Sequence, residues 1–140
     1  MSGYLPAFSN LLLIFPAFVL HLLAALCIFV GLTWLYRVVH RFPFLEHVAN
    51  HNAAAAISFG SIQIGFAIPL AACLVSSADV LDLVIWAVPI GLVQHICFLI
   101  FDTIFNGLSR RLAANDVAVA IMVAAGRISV AIIIAGGILN

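Results

Sequence analysis

The chain has 140 residues, 66% hydrophobic and 7% charged, with all five basic residues arginine, five carboxylates and a formal net charge of zero. A single core of that size cannot hide so much apolar surface from water, which excludes a soluble domain and leaves a membrane-embedded one. Scattered arginines make no basic stripe for nucleic acid, and no nucleophile–base pair, nucleotide loop or convincing metal set marks an enzyme or calls for a cofactor.

Four apolar stretches are long enough to cross a hydrocarbon core at about 1.5 Å per residue. The first is expected over residues 11–36 and is retained, because no basic residue precedes Arg37 and no small-residue cleavage site follows a short apolar region. His21, inside it, reads as a histidine satisfied within the bundle. The loop that follows contains Arg37, Arg41 and the pair His47 and His51, four residues apart. Two histidines at that spacing could share a metal on a helix face. Only Glu46 stands near as a third ligand, however, and the order is not that of a zinc protease. Seating of arginines and aromatics at headgroup level is the competing reading.

The second span is expected over 53–75, the third over 81–105 and the fourth over 117–139. Connections are short, so residues 1–140 form one membrane domain. Cys27, Cys73 and Cys97 fall within spans without CxxC spacing and read as small hydrophobes. Arginine in short loops stays cytoplasmic. Arg37 and Arg41 follow the first span, Arg110 and Arg111 follow the third, and the turn with Asp79 and Asp82 has no basic residue. Both termini are therefore expected outside, with Tyr4 and Trp86 anchoring the outer interface and Trp34 and Tyr36 the inner one.

A shift of 64 residues superposes the second span on the fourth. Over the window beginning at His51 and Asn115 there are about seven identities, where composition alone gives roughly three. Two tandem two-helix repeats follow, about 11–75 and 81–139, related by an axis along the membrane normal. Ala56, Gly60, Gln63, Ala67 and Ala71 form a stripe at helical spacing, and Ala120, Ala124, Arg127, Ala131 and Ala135 form its counterpart. Small residues so spaced let membrane helices approach closely. Gln63 and Arg127 would hold equivalent places, while His95 and Asp102, seven residues apart on one face of the third span, have Gly31 and Val38 as equivalents.

Arg127 is the only basic residue between Val117 and Leu139, near the middle of that run. A guanidinium at mid-bilayer costs about 2.5–3.5 kcal/mol on insertion scales, so protein or water must surround it. Counting along the spans puts His95 in the same layer and Asp102 about 10 Å toward the cytoplasm, within reach of a bending arginine. Gln63 and Gln94 add neutral hydrogen bonds. In the functional reading, Gln63, Gln94, His95, Asp102 and Arg127 line a hydrated path or an ion site, with histidine relaying protons. In the structural reading, Asp102 and Arg127 neutralise each other and lock helix register.

The run Asn52-Ala53-Ala54-Ala55-Ala56-Ile57-Ser58-Phe59-Gly60, continuing through Gly65 to Ile68-Pro69-Leu70-Ala71, resembles the signature of a bacterial inner-membrane family, domain of unknown function 350. Asn115 through Ala118 and the closing Gly136-Gly137-Ile138-Leu139-Asn140 resemble its second copy. The likeness departs from the family pattern after Ile138, where Asn-Ala-Ala is usual. It implies about four spans in two repeats, no assigned activity or functional residues, and gene neighbours of the envelope-stress type.

The expectation is an all-α integral membrane protein of four transmembrane helices in the bacterial inner membrane. Its small-residue faces exceed the needs of one bundle, which points to a homo-oligomer. The leading function is an ion or proton pathway through the polar layer. The rival is a scaffold or anchor in an envelope-stress assembly, docking a cytoplasmic partner at residues 37–51 and 110–115. An integral-membrane enzyme ranks last.

Overall fold

A computed structural model describes the backbone of residues 4–77 and 79–140 and the side chains of residues 13–77 and 79–140; the Tyr4 side chain, expected as an outer anchor, lies outside the described residues. Six helices follow one another: α1 (Tyr4–His40), α2 (Phe44–Ala49), α3 (Ala53–Ser76), α4 (Val80–Ile104), α5 (Leu108–Ala113) and α6 (Val117–Leu139). Among the described residues all regular secondary structure is helical. The four long helices are each long and apolar enough to cross a membrane, so the chain is a multi-pass membrane protein in contact with lipid.

Local chemistry sets the helix ends. The Asn52 side chain caps α3 by accepting from Ala55 N at 2.8 Å, and Asp116 caps α6 by accepting from Val119 N at 3.2 Å. α1 stops where Arg41 turns left-handed at φ 49° just before Phe42-Pro43, since proline disfavours the helical region for its predecessor. α4 stops before Asn106 and Gly107, both at positive φ, with Gly107 at 100° where a side chain would be strained.

The short helices α2 and α5 were expected only as loops. They connect α1 to α3 and α4 to α6 through turns whose hydrogen bonds coincide under a 64-residue shift. Asn52 N bonds to His47 O and Ala56 N to Asn52 O, while Asp116 N bonds to Arg111 O and Ala120 N to Asp116 O. The left-handed residues His51 and Asn115 obey the same shift. Asn52 Nδ2 also reaches across to Leu112 O at 2.8 Å and Ala113 O at 3.3 Å, and Ala54 N donates to Asn115 Oδ1 at 2.9 Å. The starts of α3 and α6 are thereby tied side by side.

α3 is the central helix. It packs most extensively on α6 and also touches α1, α2, α4 and α5. The core runs from Phe42 and Phe44 through Ile62, Phe66, Phe98, Leu108 and Leu112 to Val119 and Val123, toward the end that carries α2 and α5. Apart from Ala25 and Tyr36, the described part of α1 is not buried.

The stripes expected to pack do so on only one of the two helices. Ala120 and Ala131 are buried on α6 and Ala124 is half-buried, yet Ala56 and Ala67 are exposed on α3 and a Cβ on Gly60 would meet nothing within 4 Å. α3 buries Ser58, Ser61, Ile62, Gly65 and Phe66 instead. The physical reason is its position: neighbours on several sides take a broad arc of α3 and leave the aligned stripe facing outward.

Candidate functional site: a buried arginine on an aromatic ledge

Arg127 is the largest fully buried side chain of the described residues, at 0% exposure in the middle of α6. Its Nη2 donates to the Tyr36 hydroxyl at 2.5 Å. Its Cζ lies 5.3 Å from the centre of the Tyr36 ring and 5.7 Å from that of Phe98. Two aromatic faces therefore hold the cation where lipid or plain apolar packing would reject it. Each such contact contributes about 0.5–2 kcal/mol, more as water is excluded. Nε and Nη1 of the same guanidinium are buried without a hydrogen-bond partner.

Around this ledge α1 and α4 bring two histidines. His40 packs against Phe98 with ring centres 3.9 Å apart and against Tyr36 at 4.3 Å, the planes tilted by 39° and 49°. His95 stands 5.1 Å from Tyr36 and 5.0 Å from His40. The His95 Nδ1 lies 2.8 Å from Gly91 O, and because a carbonyl only accepts, Nδ1 carries the proton in that bond. A neutral His95 then presents Nε2 as an acceptor. His40 Nε2 is buried without a partner. Outside the cluster, His95 closes an apolar groove of about 520 Å³ between α1 and α4, walled by Leu32, Leu35, Val84, Val88 and Leu92.

Of the residues singled out from the sequence, Arg127 and His95 meet across the Tyr36 ring. Gln94 is fully buried but turns toward α3, donating to Gly65 O at 3.3 Å, and its Oε1 has no partner. Gln63 is half-buried on α3 and takes no part in the hydrogen bonds of this cluster. Asp102 does not pair with Arg127. Its carboxylate accepts from Leu108 N at 2.8 Å and so caps α5, and the ion pair among the described residues is Arg111–Asp116 at 3.2 Å. His47 lies on α2 and stacks on Phe42 at 4.8 Å, whereas His51 lies beyond the helix end at φ 60°, so the two do not share a helix face.

Tyr36, His40 and Phe98 were not singled out for this site, and Tyr36 was expected at the inner interface. Tyr36 is four residues from the end of α1, and Arg127 is ten residues from the start of α6. That six-residue difference corresponds to about 9 Å of rise at 1.5 Å per residue. α1 thus ends short of the base of α6, so a residue near the end of α1 reaches the level of Arg127 in the middle of α6. The i, i+4 spacing of Tyr36 and His40 was the available signal, since it puts both on one face of α1.

Four apolar spans around one buried arginine with no carboxylate partner among the described residues define a small multi-pass membrane protein with a cation in its apolar interior. The chain belongs to the family described as Domain of Unknown Function (DUF350), which matches residues 9–138, nearly its whole length. Neither the curated proteins nor the solved structures gave a match.

Proposed function

We propose that this protein is a non-enzymatic, homo-oligomeric protein of the bacterial inner membrane that forms or gates an ion or proton pathway through the layer around Arg127. The observation that carries this reading is the buried guanidinium with two unpartnered N–H groups and no carboxylate paired with it among the described residues. A purely structural lock would pair that charge, because a buried ion without a partner is costly. Buried polar atoms on several helices, among them Thr33 Oγ1, Gln94 Oε1 and His40 Nε2, also lack partners, as they would where water threads an interior.

The proposal includes two tandem repeats with both termini outside. Coincident capping and turn hydrogen bonds 64 residues apart support the repeat, and the placement of the arginines supports the orientation. Oligomerisation is supported by the outward small-residue stripe on α3. The test is ion and proton flux in proteoliposomes, with wild type compared with Arg127→Gln and Asp102→Asn variants matched for assembly. A pathway predicts that Arg127→Gln changes rate or selectivity. Because Asp102 caps α5, Asp102→Asn is expected to alter stability more than selectivity. Absence of flux across a range of voltage and pH from a well-assembled oligomer would overturn the pathway.

One observation favours the scaffold reading. Glu46 on α2 and Arg110 and Arg111 on α5 are exposed, a polar surface on the short helices that a partner of an envelope-stress assembly could dock on. In that case substitutions at Arg110, Arg111 or His47 abolish function, while Arg127→Gln changes only stability.

A further inference from the structure

The imbalance of hydrogen-bonding groups around Arg127 has a sign. Arg127 has no acceptor to give, and its Nε and Nη1 donors are unmatched. The Tyr36 oxygen is used as an acceptor from Nη2, so its own O–H remains to be donated. His40 Nε2, on the ring tilted against Tyr36 with centres 4.3 Å apart, is unmatched as well, and it is a donor when that nitrogen carries the ring proton. Even where His95 Nε2 accepts one of these hydrogens, the remaining donors of Arg127 need another acceptor. Water would supply one but would leave the guanidinium charge uncompensated in an apolar surrounding, whereas an anion would supply both acceptor and countercharge.

We infer that Arg127, with the Tyr36 hydroxyl and His40 Nε2 beside it, is a binding site for a small monovalent anion, a halide or a compact planar oxyanion such as nitrate. Resting on the pathway reading above, it names the ion. Monovalency follows from charge: one guanidinium neutralises one negative charge, and a divalent anion would leave a net charge buried. Small size follows from burial, since Arg127 is fully enclosed and a hydrated or bulky ion has no place against the Tyr36 and Phe98 rings. A cation is disfavoured because the guanidinium charge has no carboxylate paired with it among the described residues.

The experiment is a titration of the full chain, labelled with ¹⁵N-arginine and held in nanodiscs, with sodium nitrate and sodium chloride against sodium gluconate at constant ionic strength. Five arginines give five Nε–H signals, and Arg127→Lys identifies the one at the site. The site predicts that this signal alone shifts saturably with nitrate or chloride and not with gluconate. Tyr36→Phe keeps the ring face and removes the hydroxyl, and should weaken the apparent affinity about tenfold. A wild-type signal that does not move, or that moves linearly together with those of exposed Arg110 and Arg111, overturns the site in favour of buried water. So does unchanged affinity in Tyr36→Phe. If Arg127→Lys fails to fold, saturation of a single one of the five wild-type signals still decides. Saturable binding without flux would keep the site and remove the pathway; cation or proton flux without an anion response would do the reverse.

Discussion

A Cβ on Gly65 would stand 2.9 Å from the Gln94 amide nitrogen and 3.0 Å from its carbonyl carbon and oxygen. The hydrogen bond from Gln94 to the Gly65 carbonyl exists because nothing fills that space. Gly65→Ala must displace the amide of a fully buried Gln94 and break its bond to the Gly65 carbonyl. The expected cost is about 1–3 kcal/mol, as for overpacked cores, measured by equilibrium unfolding in mixed detergent micelles. Gly60 is the control, with nothing near its Cβ position, and Gly60→Ala should stay within about 0.5 kcal/mol. Equal costs for the two would show that side-chain crowding is not what selects glycine at 65. At this scale the sequence was informative about which residue was unusual and silent about its partner. Arg127 stood out because a lone charge in an apolar run is expensive wherever the run lies. Tyr36 did not, because a tyrosine beside an arginine at the end of a span is what an interface also looks like.

Helix ends carry the next level of specification. Asn52 does three things at once: it caps α3 through Ala55 N and bonds to the carbonyls of Leu112 and Ala113 at the end of α5. Asp116, in the matching place 64 residues on, caps α6 through a longer bond and otherwise makes a partly exposed ion pair with Arg111. Asn52→Ala is therefore expected to cost about 2 kcal/mol or more, a cap plus orphaned carbonyls. Asp116→Ala should cost about 1 kcal/mol, the cap alone, because exposed ion pairs contribute little. Denaturation midpoints of the two variants check the order, and a larger loss at Asp116 would mean that the bridge to α5 is weak. The caps were implicit in the Asn-Ala and Asp-Val boundaries, and the four spans were legible to within a residue or so at most ends. α2 and α5 were not. Six residues are too few for a helical period to declare itself, and their buried anchors, Phe44, Leu108 and Leu112, look in sequence like ordinary interfacial residues. Missing them is also what hid Tyr36, since counting assumes that every span ends in one plane.

On the scale of the molecule, α3 and α6 are aligned in sequence and adjacent in space, yet bury different faces. The proposed orientation, with both termini outside, makes a direct prediction about sidedness. With the native cysteines replaced, Ser77→Cys, beyond the end of α3, should react with a membrane-impermeant maleimide from outside. Ser109→Cys on α5 should react only after permeabilisation, and the reverse pattern would invert the orientation. Assembly is tested on the outward stripe of α3. Leucine at Gly60 and Ala67 adds bulk where the single chain has open space or lipid, so Gly60→Leu with Ala67→Leu should leave the fold intact within about 0.5 kcal/mol. If a second copy packs there, the same pair should convert the oligomer to smaller species by native mass spectrometry, because close helix approach depends on small residues. Ala131→Leu on α6 should behave oppositely, overpacking a buried position and costing about 1–3 kcal/mol of fold stability. A double α3 variant that assembles like wild type would make that stripe a lipid-facing surface and move any oligomer contact elsewhere. The exposed length of α1 is then the next face to test, since its large apolar side chains, Leu23, Leu26 and Val30 among them, are exposed and line a groove together.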